Sequence, residues 1–357
     1  MNRRHDARER GGGCPAAGGR LPAGWRSIAL GLCAASVLAA EPARVPQVTN
    51  SLVWPAPPAE PRVAYLRSYQ GPSDWGIKDS LWSRIVRFVV GRNKAGETLV
   101  RPFGIALDED DNLCLADSGA ATVSYFDRRR KIYQRWSSIE GVRFALPVAI
   151  AKAAGAFYVA DSSVGKIIAF DIHGTRLFAI SENLERPAGL AIIDGKLYVA
   201  DAAAHRVAVF DLKGRHLFSF GTRGKGKGEF DFPTHLAAAP NGRLLVTDAA
   251  NSRVQVFDRN GRFEAIIGRA GDGSGCFGRP KGVAADRWGH VYVVDALYDN
   301  IQVFDLEGRI LMEWGSGGSK PGEFWMPAGI AITRDDEILV ADSYNRRVQV
   351  FKYIGKQ

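Results

Sequence analysis

The sequence predicts an all-β chain in which six small four-stranded sheets close into a ring. Three features carry that expectation: a phrase recurring six times from Arg101 onward, short β-rich stretches separated by turn signals within each copy, and apolar residues on both faces of those stretches. The plainest copies are Leu197-Tyr-Val-Ala-Asp201 followed by Arg206-Val-Ala-Val-Phe-Asp211, and Leu244-Leu-Val-Thr-Asp248 followed by Arg253-Val-Gln-Val-Phe-Asp258. Each copy is anchored by an aspartate, at Asp117, Asp161, Asp201, Asp248, Asp295 and Asp342, separated by 44, 40, 47, 47 and 47 residues. A fixed period in the forties marks a radial or stacked array of supersecondary units.

The copy opening at Pro233 shows the content of one unit. His235–Ala239 reads as a strand, Pro240-Asn-Gly242 as a turn, and Leu244–Thr247 as a second strand. A turn near Ala249–Ser252 leads to Val254–Phe257, and Arg259-Asn-Gly261 turns the chain into Phe263–Ile267. Four strands fill the unit and leave no room for a helix. Stretches such as Val291–Val294 and Ile338–Ala341 are apolar at every position, so both faces of each sheet must be covered. Phe126, Phe170, Phe210, Phe257, Phe304 and Phe351 recur at the end of the third strand and are expected to pack between sheets. The units span 101–136, 146–180, 186–220, 233–268, 280–315 and 327–354. The last one lacks a fourth strand, and the orphan segment Arg62–Tyr69 resembles the missing piece. Donated to the final sheet, this closing strand 62–69 would cover two exposed edges and lock the circle.

The phrasing Pro-x-Gly-[Val/Ile/Leu]-Ala, x-Tyr-Val-Ala-Asp and x-Arg-Val-Gln-Val-Phe-Asp resembles the NHL repeat. So do the connections Gly221-x-x-Gly-x-Gly-x-Gly-Glu-Phe230-x-x-Pro233 and Gly315-x-Gly-Gly-x-x-x-Gly-Glu-Phe324-x-x-Pro327. The resemblance covers about 101–354 and implies a six-bladed β-propeller. It is specific in the last three units. In the first two, Thr122 and Lys166 stand where the repeat has Arg, and Val148-Ala149 replaces x-Gly after the proline.

Upstream, residues 1–40 read as a signal peptide. Arg3, Arg4, Arg8, Arg10, Arg20 and Arg26 make a basic start, Ile28–Ala40 is a 13-residue apolar core, and small residues suit cleavage after Ala39 or Ala40. The expectation is export, to the periplasm or outside the cell. Residues 41–60, with Pro42, Pro46, Pro55, Pro57 and Pro58, read as a semi-rigid linker. The chain as a whole carries +9; loss of the leader removes six basic and two acidic residues and leaves 41 against 36, a net +5. An apolar fraction of 46% with 24% charge excludes a disordered chain. Cys114 and Cys276 are expected to be two idle thiols. Ile77, Leu81, Ile85, Phe88 and Val89 fall on one stripe of an amphipathic helix over 75–92, basic elsewhere. With Trp75 and Trp82 it suits contact with a membrane surface, although packing against the first blade is the commoner fate of such a helix.

For chemistry, the six aspartates are the first candidates. Their repetition argues for a structural role, each capping a turn and pairing with the basic residue five positions on, as in Asp161/Lys166, Asp201/Arg206, Asp248/Arg253 and Asp342/Arg347. The run Arg223-Gly-Lys-Gly-Lys-Gly228 has no following helix and no Gly-Lys-[Ser/Thr] ending, so it reads as a linker and not a phosphate cradle. By repeat position, His173 and His290 fall in turns of the far face and His216 on an outer strand, which leaves His205 and His235 near the channel mouth. His235 takes the place held by Gly at 104, 189, 282 and 329. An amidating-lyase branch of the resembled family places metal-binding histidines directly after the blade-opening proline. Those positions here are Phe103, Val148, Ala188, Thr234, Lys281 and Ala328, so that activity is not implied.

The reading is a non-catalytic binding scaffold without metal or cofactor. Under the family topology one face gathers Arg101, Arg143, Arg186, Arg223, Lys225, Lys227, Arg279, Lys281, Lys320 and Arg346, while acidic first turns such as Asp108–Asp111 and Asp335–Glu337 take the other. Relatives in the resembled family use that basic face for RNA or protein. Export argues against nucleic acid and leaves a protein or an anionic envelope component as partner. The alternative is a metal-dependent hydrolase or lyase at the channel mouth around Thr234, His235, His205 and Lys281. Two histidines alone fall short of the three protein ligands of catalytic zinc.

Overall fold

Period-2 strands that are apolar on both faces can bury themselves only by stacking sheet on sheet, and that is how the chain folds. The computed structural model describes residues 52–75 and 98–355. The expected signal peptide, most of the expected proline-rich linker and all of the expected helix beyond Trp75 lie outside the described residues. Six blades follow one another as a six-bladed β-propeller; the first five each have four antiparallel strands hydrogen-bonded in chain order, and the sixth takes its outer strands from upstream. Their inner strands are Pro102–Leu107, Pro147–Ala153, Pro187–Ile193, Pro233–Ala239, Pro280–Ala285 and Pro327–Ile332. Each packs against its neighbour, and the sixth packs against the first.

Closure comes from upstream, as the sequence predicts. The strand Val63–Tyr69 pairs antiparallel with Arg347–Tyr353, from Val63 opposite Tyr353 to Tyr69 opposite Val348. Arg67 grips both oxygens of Glu337 at 2.7 and 2.8 Å, fixing the donated strand to the blade it completes. Two details add to this picture. Val53–Trp54, within the proline-rich stretch, adds a fifth strand against Val63–Ala64, so that part of the linker is edge cover for the closing strand. Trp75 ends a short 3-10 turn, Pro72–Trp75, and its ring stacks on Tyr69 at 3.8 Å and on Phe126 at 5.4 Å. Its half-buried ring is therefore part of the closing seam, packed against the first blade.

The core is distributed in six wedges. The buried apolar residues fall into clusters that each span one blade interface, including the seam between the last blade and the first. The six recurring phenylalanines all lie in these wedges, none more than 2% exposed. Cys114 and Cys276 are buried free thiols, as expected.

Near the axis the inner strands come so close that side chains must be absent. A Cβ on Gly282 would lie 2.3 Å from the carbonyl oxygen of Ala328, and one on Gly329 would lie 2.4 Å from that of Phe103. These contacts are backbone and cannot rotate away. Gly329→Val is therefore expected to force apart the seam between the last and first blades and lower the melting temperature by many degrees. Gly273→Val, where a Cβ meets nothing within 4 Å, should leave it unchanged. Thermal unfolding of the two variants beside the parent checks this, and equal melting points would remove close backbone approach as the reason for glycine at 329.

Candidate functional site: the channel mouth and its basic face

The repeated aspartates build the face on which the mouth lies. Each ends a second strand and turns its buried carboxylate toward the segment entering the inner strand of the same blade. Asp117 accepts the N–H groups of Val100 and Arg101 at 2.7 and 2.9 Å, and Asp295 those of Gly278 and Arg279 at 2.7 and 3.0 Å. Asp161 and Asp201 hold the equivalent pairs. Asp248 and Asp342 instead accept one such N–H, from Asp231 and Trp325, and give their second oxygen to Arg253 and Arg347 at 2.8 and 2.7 Å. The structural role expected of the set is the observed one, with one correction. The five-residue pairing is tight only in the fourth and sixth blades. Arg206 reaches Asp201 at 3.6 Å, and Lys166, exposed at its strand start, forms no ion pair among the described residues.

Arg253 also organises the glycine-rich connection. Its guanidinium donates to the carbonyls of Lys225, Gly226 and Glu229 at 2.8, 2.7 and 2.9 Å, and Arg347 repeats this on Ser319, Lys320 and Glu323. Gln255 and Gln349 bind the same Glu carbonyls. These loops aim carbonyl oxygens at a buried cation, the reverse of a phosphate cradle, which confirms them as linkers.

The inner strands each carry a register shift just after the opening proline. A bulge of this kind leaves one residue out of the ladder and re-aims its side chain. The released residues include Phe103, Val148, Ala188 and Thr234, and together with Lys281 they line a cavity of about 450 Å³ at the channel mouth. Below it, the inner strands of all six blades enclose a void of only 40 Å³. The floor between them is closed by Phe103 of the first blade and His235 of the fourth, whose rings lie 5.6 Å apart across the axis.

His235 is held neutral in this floor. Burial, with the charge of Lys281 adding to it, draws its pKa down to about 3. Its Nδ1 lies 3.2 Å from Thr234 Oγ1, and its Nε2 is buried without a hydrogen-bond partner. The Lys281 ammonium sits over the Phe103 ring at 5.3 Å. Burial, then Arg279 and Arg101, lower its pKa to about 8, against a smaller opposing pull from Asp299. Of the four residues considered for catalysis, Thr234, His235 and Lys281 meet at the cavity. His205 does not: its ring packs on Phe232 at 4.8 Å, and its Nδ1 accepts the Phe232 N–H. His290, on the far face, is bound to Asp286 at 2.7 Å. Among the described residues no three His, Cys, Asp or Glu side chains converge as a metal site would require.

Of the ten basic residues assigned to this face, Arg101, Arg186, Arg279 and Lys281 line the cavity itself. Arg143, Arg223, Lys225, Lys227, Lys320 and Arg346 stand exposed on the linkers and turns around it. None of the ten forms an ion pair with a described carboxylate. On the opposite face pairing is common: Lys152 with Asp108, Arg259 with Asp194, Arg287 with Asp336, Arg309 with Asp305 and Arg334 with Asp111. The acidic first turns expected there are present but largely neutralised. Sequence reasoning passed over Phe103 and Phe232 as site residues. The signal was available for Phe103, because the position after the opening proline is the one the bulge releases.

The NHL repeat matches residues 184–210, 230–257 and 324–351, in the third, fourth and sixth blades. The expectation that the last three units match best is corrected at the fifth. There Asn300 replaces the strand-opening Arg, and Cys276-Phe277 replaces Glu-Phe in the connection. No curated protein matches the chain. Among solved structures, virginiamycin B lyase from Staphylococcus aureus is similar at 13% identity and TM-score 0.54, covering 71% of this chain and 96% of that one. Hydrazine synthase of Kuenenia stuttgartiensis is similar at 15% identity and TM-score 0.52, covering 71% and 95%. A protein of unknown function from Bacteroides thetaiotaomicron VPI-5482 gives 14% and 0.56, covering 82% and 75%. At such identities the likeness is one of fold.

Two expectations follow from this geometry. Arg253→Ala leaves Asp248 charged and fully buried and frees three linker carbonyls, so it should cost about 3–5 kcal/mol in urea unfolding. Arg206→Ala, at a longer and partly exposed pair, should cost about 1 kcal/mol or less. His235 behaves oppositely to a salt-bridged histidine. Folded, it stays neutral down to about pH 3, whereas unfolded it takes up a proton near pH 6.5. The stability it contributes is complete above pH 6.5 and is lost as pH falls toward 3. Melting curves of His235→Gln between pH 7 and 4 should fall less steeply than those of the parent, and parallel curves would show that His235 is not the group responsible.

Proposed function

We propose that the protein is a non-catalytic binding platform that engages a polyanionic partner, an acidic protein surface or an anionic envelope component, through the face around the channel mouth. The observation that carries this reading is the partition of charge. Ten cations on that face have no carboxylate partner among the described residues, while the opposite face pairs many of its own. Uncompensated like charge destabilises the free protein and is relieved by a ligand of opposite sign. The blades suit such a role, because loops pinned by buried aspartates and arginines lose little freedom on binding. Export supports an envelope partner over nucleic acid. The competing hydrolase or lyase reading has a cavity in its favour, but only three of its four residues meet there, and among the described residues no ligand triad stands beside them.

Retention on an immobilised polyanion such as heparin tests the reading. Lys225→Glu, Lys227→Glu and Arg346→Glu combined should lower the salt concentration at elution substantially. Arg128→Glu, Arg129→Glu and Lys131→Glu combined make the same charge change on an exposed turn of the far face and should lower it much less. Equal shifts from the two triples would reduce the effect to net charge and end the proposal of a docking face.

A further inference from the structure

We infer that the cavity at the channel mouth is a small-molecule site, shaped for a compound that joins a flat apolar body to a doubly charged phosphate head. This goes beyond the platform reading: it assigns the four cations inside the cavity a ligand of their own and leaves the six exposed ones on the surrounding linkers and turns to the platform. Its volume of about 450 Å³ falls within the range of ligand sites, roughly 300–1,000 Å³. The recess lies on the propeller axis, beneath the level of the linkers, with a floor closed by the Phe103–His235 pair. A broad macromolecular surface cannot reach that floor, whereas a small ligand can.

The wall supplies two kinds of contact. Phe103, Val148 and Phe232 offer apolar and aromatic surface for a flat ring. Arg101, Arg186, Arg279 and Lys281 add four positive charges, and among the described residues no carboxylate lines the cavity with them. A carboxylate head would leave most of that charge unmatched. A phosphate dianion carries more charge and more acceptor oxygens, and guanidinium groups bind it in the forked geometry that suits it. Lys281 is the central contact. Its ammonium lies on the face of Phe103, so an anion bound to it sits beside the ring on which an aromatic body would stack. The nearest acidic group acting on it, Asp299, is already engaged by the Met326 N–H at 2.7 Å.

The same contact makes binding pH-dependent. Lys281 is faced by Arg279 and Arg101, by Asp299, by the Phe103 ring and by a His235 that stays neutral. With an amine that titrates near pH 8, the free site loses its central charge as pH rises through that value. A bound dianion favours the charged form, so affinity declines from pH 7 to pH 9.

Isothermal titration of the full chain with phenyl phosphate, inorganic phosphate and benzyl alcohol tests the inference. Phenyl phosphate should bind one to one, at least tenfold tighter than either of the others, and weaken severalfold between pH 7 and 9. Lys281→Gln should weaken it at least tenfold, while Lys281→Arg keeps the affinity and removes the pH dependence. Melting curves identify any variant that fails to fold, and Phe103→Leu then provides a second probe of the ring contact. The triple Lys225→Glu, Lys227→Glu and Arg346→Glu should leave phenyl phosphate binding intact, so failure of this site and failure of the platform are read separately. No binding, binding no tighter than inorganic phosphate, or affinity insensitive to Lys281→Gln would each overturn the assignment.

Discussion

The buried carboxylate at the end of each second strand is the interaction on which the rest depends. Placed beneath the segment that enters the inner strand, it accepts backbone N–H groups that would otherwise be buried unpaired. Because the carboxylate and the segment belong to one blade, the corner is local and can be repeated. It also fixes where the chain meets the axis. Directly after that point the strand bulges, and in five of the blades the residue after the opening proline lines the mouth. These five residues, Phe103, Val148, Ala188, Thr234 and Lys281, make otherwise similar units chemically different there.

Two regimes of charge coexist in the molecule. Inside the blade corners, Arg253 and Arg347 are desolvated, but each donates four hydrogen bonds, one to a carboxylate and three to carbonyl oxygens. Such groups hold structure and offer nothing to a ligand. Around the mouth, cations stand without a carboxylate partner among the described residues, and uncompensated charge is the condition for recognition from outside. The same residue type therefore serves scaffold and surface, and exposure together with partnering decides which.

The division of labour recurs at the seams. Phenylalanine wedges between blades are uniform around the ring, while the axis is asymmetric. Four of the six positions after the opening pair are glycine, where the next backbone comes too close for a Cβ, and His235 breaks that pattern in the fourth blade. Its ring meets Phe103 from the opposite side of the channel, so an irregularity in one repeat closes the floor for all six.

The periodic aspartates, the proline-glycine openings and the orphan strand Arg62–Tyr69 were legible from sequence because each repeats or completes a local pattern. Blade number, strand order, closure and the sides on which basic and acidic turns fall follow from such patterns, since an antiparallel meander alternates faces strictly. Other features joined residues far apart in the chain, and no local rule could supply them. Packing of Trp75 against the first blade was expected, but its particular partners, Tyr69 of the closing strand and Phe126, are set by the seam between distant segments. His205 and His235 occupy neighbouring repeats, yet the Phe232 ring separates their roles. The sequence alone determined the ring and its two faces, because those depend on spacing. Only the tertiary structure decided that Phe103, His235 and Lys281 meet at one cavity, because that depends on the diameter at which six wedges of particular side chains come to rest.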